Sequence, residues 1–99
     1  MAEFTLAPRA KQDLRLIGRF TQAYWGIEQR NRYIDTLVDT FKKLAHEPIL
    51  GRPRDELKPG TLSHLCESHV IYFRHVAHGI EVLRILHQRM DAKALKNYP

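Results

Sequence analysis

Val70-Ile71-Tyr72-Phe73-Arg74-His75-Val76, then Ala77-His78-Gly79, then Ile80-Glu81-Val82-Leu83-Arg84-Ile85-Leu86: this stretch decides the fold. Both outer runs are rich in β-branched and aromatic residues, which favour a pleated, half-buried surface. So short a link between two such runs predicts a hairpin, with Gly79 supplying a positive φ. The register stays open at this level. A three-residue loop sets Arg74 and Arg84 on one face, whereas a two-residue loop sets them on opposite faces, because a slip of one residue inverts a strand.

Upstream, Leu62–Cys66 reads as a further short strand. Between Glu47 and Thr61 the periodicity stops, since Pro48, Gly51, Pro53, Pro59 and Gly60 forbid a long regular element. A turn fits around Arg54–Leu57, and irregular segments of this length are often functional.

Two amphipathic helices precede the loop. In the first, Ala10, Leu14, Ile17, Phe20 and Tyr24 recur in steps of three and four, with Pro8 suited to the first turn. In the second, Ile27, Arg30, Ile34, Leu37, Phe41 and Leu44 form the stripe, broadened by Tyr33, Val38 and Ala45. Gly26 between them closes the first helix and makes an antiparallel helical hairpin. Glu3-Phe4-Thr5-Leu6 alternates as a strand with Phe4 and Leu6 inward, and Asp91 can cap a short C-terminal turn through Ala92, Ala94 and Leu95. The expected order is β-α-α-β-β-β, an α+β fold with a helical hairpin on a mostly antiparallel sheet and a short C-terminal tail.

The 99 residues suit a single domain spanning 1–99. With 43% hydrophobic and 27% charged residues, the chain as a whole is not intrinsically disordered. Its apolar runs are too short for a membrane span, and Met1-Ala2-Glu3-Phe4 carries no export signal. The one cysteine, Cys66, fits a reducing cytoplasm. The net charge of +5, spread over both halves of the chain, favours an acidic partner.

Chemistry-bearing groups are few. His64 and Cys66 share a strand face, with His69, His75 and His78 near in sequence, yet no paired ligand spacing suited to zinc occurs, so no metal is expected. No P-loop, GxGxxG or GxSxG element surrounds Ser63, Ser68 or any glycine, so no cofactor is expected either. Tyr24 and Trp25 at the hairpin tip read either as a cap on the core or as an exposed recognition pair. Arg74, Arg84, His87 and Arg89 lie on or beside the final hairpin, with Arg52 and Arg54 in the long loop. Such a set can move protons and stabilise phosphate charge, grip carboxylates by bidentate pairing, or stay solvated on a sheet edge.

Six segments in order resemble the RelE/ParE superfamily of bacterial toxins, the ParE branch more closely. They are Leu6–Leu14, Tyr24–Gln29, Leu44–Pro48, Gly51–Leu57, Ser68–Arg74 and Arg84–Asp91. The resemblance implies the toxin of a type II toxin–antitoxin pair, held in a hetero-oligomer by a ParD-like antitoxin. It further implies inhibition of DNA gyrase by protein–protein interaction, with replication blocked and no catalysis of its own. RelE-type relatives instead cut mRNA on the ribosome, and several close the last strand with a His-Tyr pair. Here Gln88 follows His87 and Tyr98 lies far down the tail, which argues against that activity; its machinery would otherwise be Arg84, His87 and Arg89.

Under this resemblance Arg52, Arg54, Arg74, Arg84, His87, Arg89, Tyr24 and Trp25 are the expected antitoxin- or target-binding residues. The antitoxin's toxin-binding segment is expected to be acidic and amphipathic. It would fold into the groove between sheet and helical hairpin, covering apolar surface and neutralising Arg74 and Arg84.

Overall fold

A computed structural model describes residues 2–90. The chain runs β1 (Glu3–Leu6), α1 (Pro8–Trp25), α2 (Ile27–His46), a 3-10 turn (Pro48–Leu50), β2 (Arg52–Pro53), β3 (Leu62–Cys66), β4 (His69–Val76) and β5 (Gly79–His87). The five strands form one sheet in the order β1-β5-β4-β3-β2. β1 pairs parallel to β5, and all other pairs are antiparallel. The expected α+β order is therefore present, with β2 added as a two-residue edge strand inside the loop. The capped turn expected from Asp91 lies outside the described residues.

The helical hairpin turns on a single residue. Gly26 has φ +91°, a conformation that costs other residues a steric clash, and it ends α1 while starting α2. Pro8 opens α1 directly after β1, where its missing N–H leaves nothing unsatisfied.

The core lies between hairpin and sheet. Leu37, Phe41 and Leu44 of α2 meet Ile71 and Phe73 of β4 and Ile80, Val82 and Ile85 of β5. Phe4 of β1 packs its ring on Phe41 at 5.4 Å, so the inward reading of Phe4 and Leu6 holds.

The α1 stripe needs correction. Its buried residues are Ala10, Ile17, Gly18 and Thr21, while Phe20 and Tyr24 are exposed. Phe20 sits to the side of the buried face, and Tyr24 lies about a turn beyond the last core contact. Ile27 at the start of α2 is likewise exposed. Both helices overhang the sheet at the hairpin tip.

The β4–β5 link settles the open register. Val76 pairs with Gly79, so the loop is two residues, Ala77-His78. Farther along, Phe73 pairs with Val82 but Tyr72 with Arg84, leaving Leu83 as a bulge. The bulge inverts the phase a second time, so Arg84 returns to the face of Arg74 despite the short loop. Gly79 has φ +150°, but a sharper requirement comes from β1: a Cβ at this position would run into the Glu3 carbonyl oxygen.

The outer face of the sheet carries a second, smaller cluster. Leu57 from the long loop covers Tyr72 and Leu86, with Val70 against them. The loop is drawn together by the Arg54 amide donating to the Thr61 carbonyl and the Gly60 amide donating to Asp55 Oδ1. Part of that face is thus covered by the chain itself.

Candidate functional site

β1 ends opposite Val82, so the next stretch of the β5 edge has no strand beside it. α1 crosses there, and Asp13 takes the strand's place. Its Oδ2 accepts the Ile85 amide at 3.0 Å. The same carboxylate accepts Arg84 Nε at 2.8 Å and Arg84 Nη2 at 3.1 Å, a bidentate pair. Both side chains are nearly buried, at 13% and 11% exposure. Arg84 thus leaves the sheet face by the β5 edge and is neutralised within the chain.

The other basic residues also part company. Arg74 pairs with Glu81 at 2.7 Å in an exposed bridge. Arg54 pairs with Glu56 at 2.7 Å and lies over the Tyr72 ring, 5.8 Å from its centroid. The Arg54–Glu56 bond holds the Glu56 carboxyl below its ordinary range. Arg52 sits exposed on β2. Arg89 follows β5, and its amide donates to His87 Nδ1 at 3.1 Å. The six do not form one constellation. The expectation that a partner neutralises Arg74 and Arg84 is corrected: Glu81 and Asp13 already do so.

A different set converges where β4 begins and β5 ends. A groove of about 540 Å³ opens between the hairpin tip and the β3–β4 turn, lined among others by Phe20, Trp25, Arg32, Tyr33, His69 and His87. Tyr33 Oη lies 2.6 Å from His69 Nδ1 and accepts the Ser68 amide at 3.2 Å. The phenol and the imidazole share one hydrogen bond, its donor set by the His69 tautomer. The His69 ring meets the His87 ring edge to face at 5.4 Å. Burial, then the nearby His87, push the His69 imidazole below its ordinary value, opposed by Asp13. Burial pushes the Tyr33 phenol up. Both shifts favour uncharged rings near neutral pH.

Beside the groove the hairpin tip is apolar and open. Phe20, Tyr24 and Trp25 are 61%, 70% and 72% exposed, and the rings of Phe20 and Tyr24 stack at 4.5 Å. Tyr24 and Trp25 are therefore not a cap on the core. Of the sequence-predicted site residues, the groove gathers His87 and Trp25. Tyr33, Arg32 and Phe20 were not singled out, and His69 was weighed only as a metal ligand. Among the described residues no group of three or more His, Cys, Asp or Glu is arranged to hold a metal ion. No described helix is long and apolar enough to cross a membrane.

The architecture is that of RelE/ParE-type toxins. A chain of the chromosomal ParDE toxin–antitoxin system from P. aeruginosa matches with a TM-score of 0.74 at 24% identity, covering 88% of this chain and 96% of that one. A chain of the RelBE2 toxin–antitoxin complex from Mycobacterium tuberculosis matches at 0.66 and 21% identity, covering 88% and 98%.

At the level of sequence, residues 4–92 match the family model described as the ParE toxin of the type II toxin–antitoxin system parDE. Toxin ParE1 of Caulobacter vibrioides is 36% identical over 94 residues, covering 95% of this chain and 97% of the relative. Toxin ParE1 of Mycobacterium tuberculosis is 35% identical over 91 residues, covering 91% and 93%. The chain belongs to the ParE family of toxin–antitoxin toxins.

Proposed function

We propose that this toxin is neutralised in the bacterial cytoplasm by a ParD-like antitoxin and acts on DNA gyrase by protein–protein interaction, blocking replication without catalysis of its own. The observation that carries this reading is the open aromatic tip. Phe20, Tyr24, Trp25 and Ile27 stand exposed where α1 ends and α2 begins, and exposed apolar surface gathered on a small protein marks a docking site. The exposed Arg52 and Arg89 supply basic surface for acidic segments of a partner.

The second reading is a ribosome-dependent mRNA endoribonuclease built on Arg84, His87 and Arg89. The Tyr33–His69 hydrogen bond with the His87 ring against it is the observation that favours it. Against it, the Arg84 guanidinium is held in a bidentate pair by Asp13.

The test is a gyrase assay with antitoxin-free toxin, supercoiled plasmid and ATP. Linear, gyrase-dependent DNA is the expected product, reduced when Tyr24 and Trp25 are replaced by Ala. Unaffected gyrase together with rapid cleavage of ribosome-bound mRNA would overturn the reading in favour of the nuclease.

A further inference from the structure

The outward side of α1 carries a row of charge that the fold does not use. Lys11, Arg15 and Arg19 follow one another in steps of four, so they stand on one side of the helix, and all three are exposed. The row runs about 12 Å, from near the aromatic tip back toward the start of the helix. Gln12 and Gln22 flank it, so the strip holds cations and amides, with neither an acid nor a large apolar side chain.

α2 adds a fourth cation. The stem of Arg30 packs against Gly18 of α1. Its Nη1 donates to Gln22 Oε1 at 2.9 Å, and its Nε and Nη2 donate to Asn31 Oδ1 at 3.2 Å and 2.9 Å. These partners are neutral amide oxygens, so the guanidinium is positioned without being neutralised. Among the described residues none of the four cations makes an ion pair. Asp13, the one acid of α1, is turned to the β5 edge and taken by Arg84. Like charges four residues apart weaken a helix, so the row lowers stability with no return inside the chain.

We propose that this row is a contact for the phosphate backbone of duplex DNA, so that the toxin docked on gyrase by its aromatic tip also grips the DNA the enzyme holds. The proposal rests on the gyrase reading above and adds the nucleic acid to it.

The make-up of the strip favours DNA over a membrane or an acidic protein. A duplex presents an unbroken line of negative charge, which a straight row of uncompensated cations matches at every step. Guanidinium and amide groups both donate to phosphate oxygens. A lipid surface needs an apolar helix face to enter it, and the apolar face of α1 is already buried through Ala10 and Ile17. A protein interface wants apolar contacts at its centre. The exposed Leu16 and Phe20 are spaced three and seven residues from Asp13, which sets them on the flank toward the sheet and outside the row.

DNA binding can be measured without gyrase. Antitoxin-free toxin should raise the anisotropy of a fluorescein-labelled duplex. The logarithm of the association constant should fall against that of salt with a slope of about −3 to −4, as four phosphate contacts require. Arg15→Gln combined with Arg19→Gln should weaken binding about tenfold or more at about 50 mM salt and lower the slope by about two. Lys42→Gln combined with Lys43→Gln removes the same charge from exposed positions of α2. That control should change affinity less than about threefold, since its charges lie away from the row. All four positions are exposed on helices, so circular dichroism should match the parent protein. With gyrase and supercoiled plasmid, the first pair of substitutions should reduce the linear product and the second should not.

A duplex left unbound, or bound equally weakly by both variants, overturns the proposal. Binding to phosphatidylserine vesicles that needs Arg15 and Arg19, where the duplex does not, would give the row to a lipid surface instead. Linear product undiminished by Arg15→Gln with Arg19→Gln overturns the proposal and leaves the gyrase reading standing. No linear product from the parent toxin overturns that reading and the proposal together.

Discussion

Asp13 and Arg84, 71 residues apart in the chain, close the open edge of β5 where β1 has ended. The carboxylate serves as the missing strand for the Ile85 amide and as the counter-charge for a nearly buried guanidinium. Replacing it by Ala removes the acceptor of the Ile85 amide and the bidentate counter-charge of Arg84 at once. Removing one partner of a buried pair costs about 3–5 kcal/mol. Asp13→Ala should lower the free energy of unfolding by that order in urea denaturation. Asp13→Leu combined with Arg84→Met should recover part of the loss, since the charge that Asp13 balanced is removed with it.

Any effect of Arg84 substitutions on antitoxin binding must be separated from this role. Arg84→Glu sets two carboxylates against each other at the β5 edge and should destabilise the fold. Its antitoxin affinity should be compared with that of Arg74→Glu, whose bridge to Glu81 is exposed. An exposed bridge is worth at most about 1 kcal/mol, and although the new carboxylate would face Glu81, it would do so in water, so Arg74→Glu should destabilise the fold far less than Arg84→Glu.

His69 gives the pH dependence of stability. Its imidazole is held below the ordinary value of 6.5 in the folded protein. The unfolded chain therefore binds a proton there at a pH where the folded chain does not. The contribution is fully present above about pH 6.5 and is lost as pH falls through the folded value. The melting temperature should drop on acidification below neutral, and His69→Gln should make that drop shallower.

Gly18 sits buried in the middle of α1 against Arg30 and Ile34 of α2. A Cβ there would lie 3.7 Å from Arg30 Cδ and 3.8 Å from Ile34 Cδ1, ordinary contact distances. Gly18→Ala should raise stability by about 0.5–1 kcal/mol, because the unfolded chain loses freedom and the helix gains a better former. Thermal melts would read this as a shift of a few degrees.

Phe41 and Trp25 should separate stability from function. Phe41 is fully buried against Phe4, and Phe41→Ala should cost about 3–5 kcal/mol. Trp25→Ala should change stability by no more than about 0.5 kcal/mol, as expected of an exposed position. Its loss should appear in antitoxin or gyrase binding.

What local pattern encodes was legible from the chain. Strand and helix periods placed both helices, the Gly26 turn and the β3–β4–β5 run to within a residue or so, because periodicity records which face is buried. The ordered segments from Leu6 to Asp91 pointed to the ParE family. The overhang of Phe20 and Tyr24 was not legible, since an apolar stripe looks the same whether or not the sheet extends beneath it. The edge strand β2 was hidden for a related reason: two residues carry no period.

The amino-acid sequence by itself determined the α+β class, the helical hairpin, the β4–β5 hairpin and the family. Tertiary structure alone decided the phase of Arg84, set by a bulge at Leu83 that no composition signals. It also decided the pairing of Arg84 with Asp13 and the convergence of Tyr33, His69 and His87 on one groove. These contacts join residues far apart in the chain, and their partners are chosen by strand register and by where α1 crosses the sheet. A titratable side chain's chemistry depends on those neighbours, so the site became readable only once the packing was known.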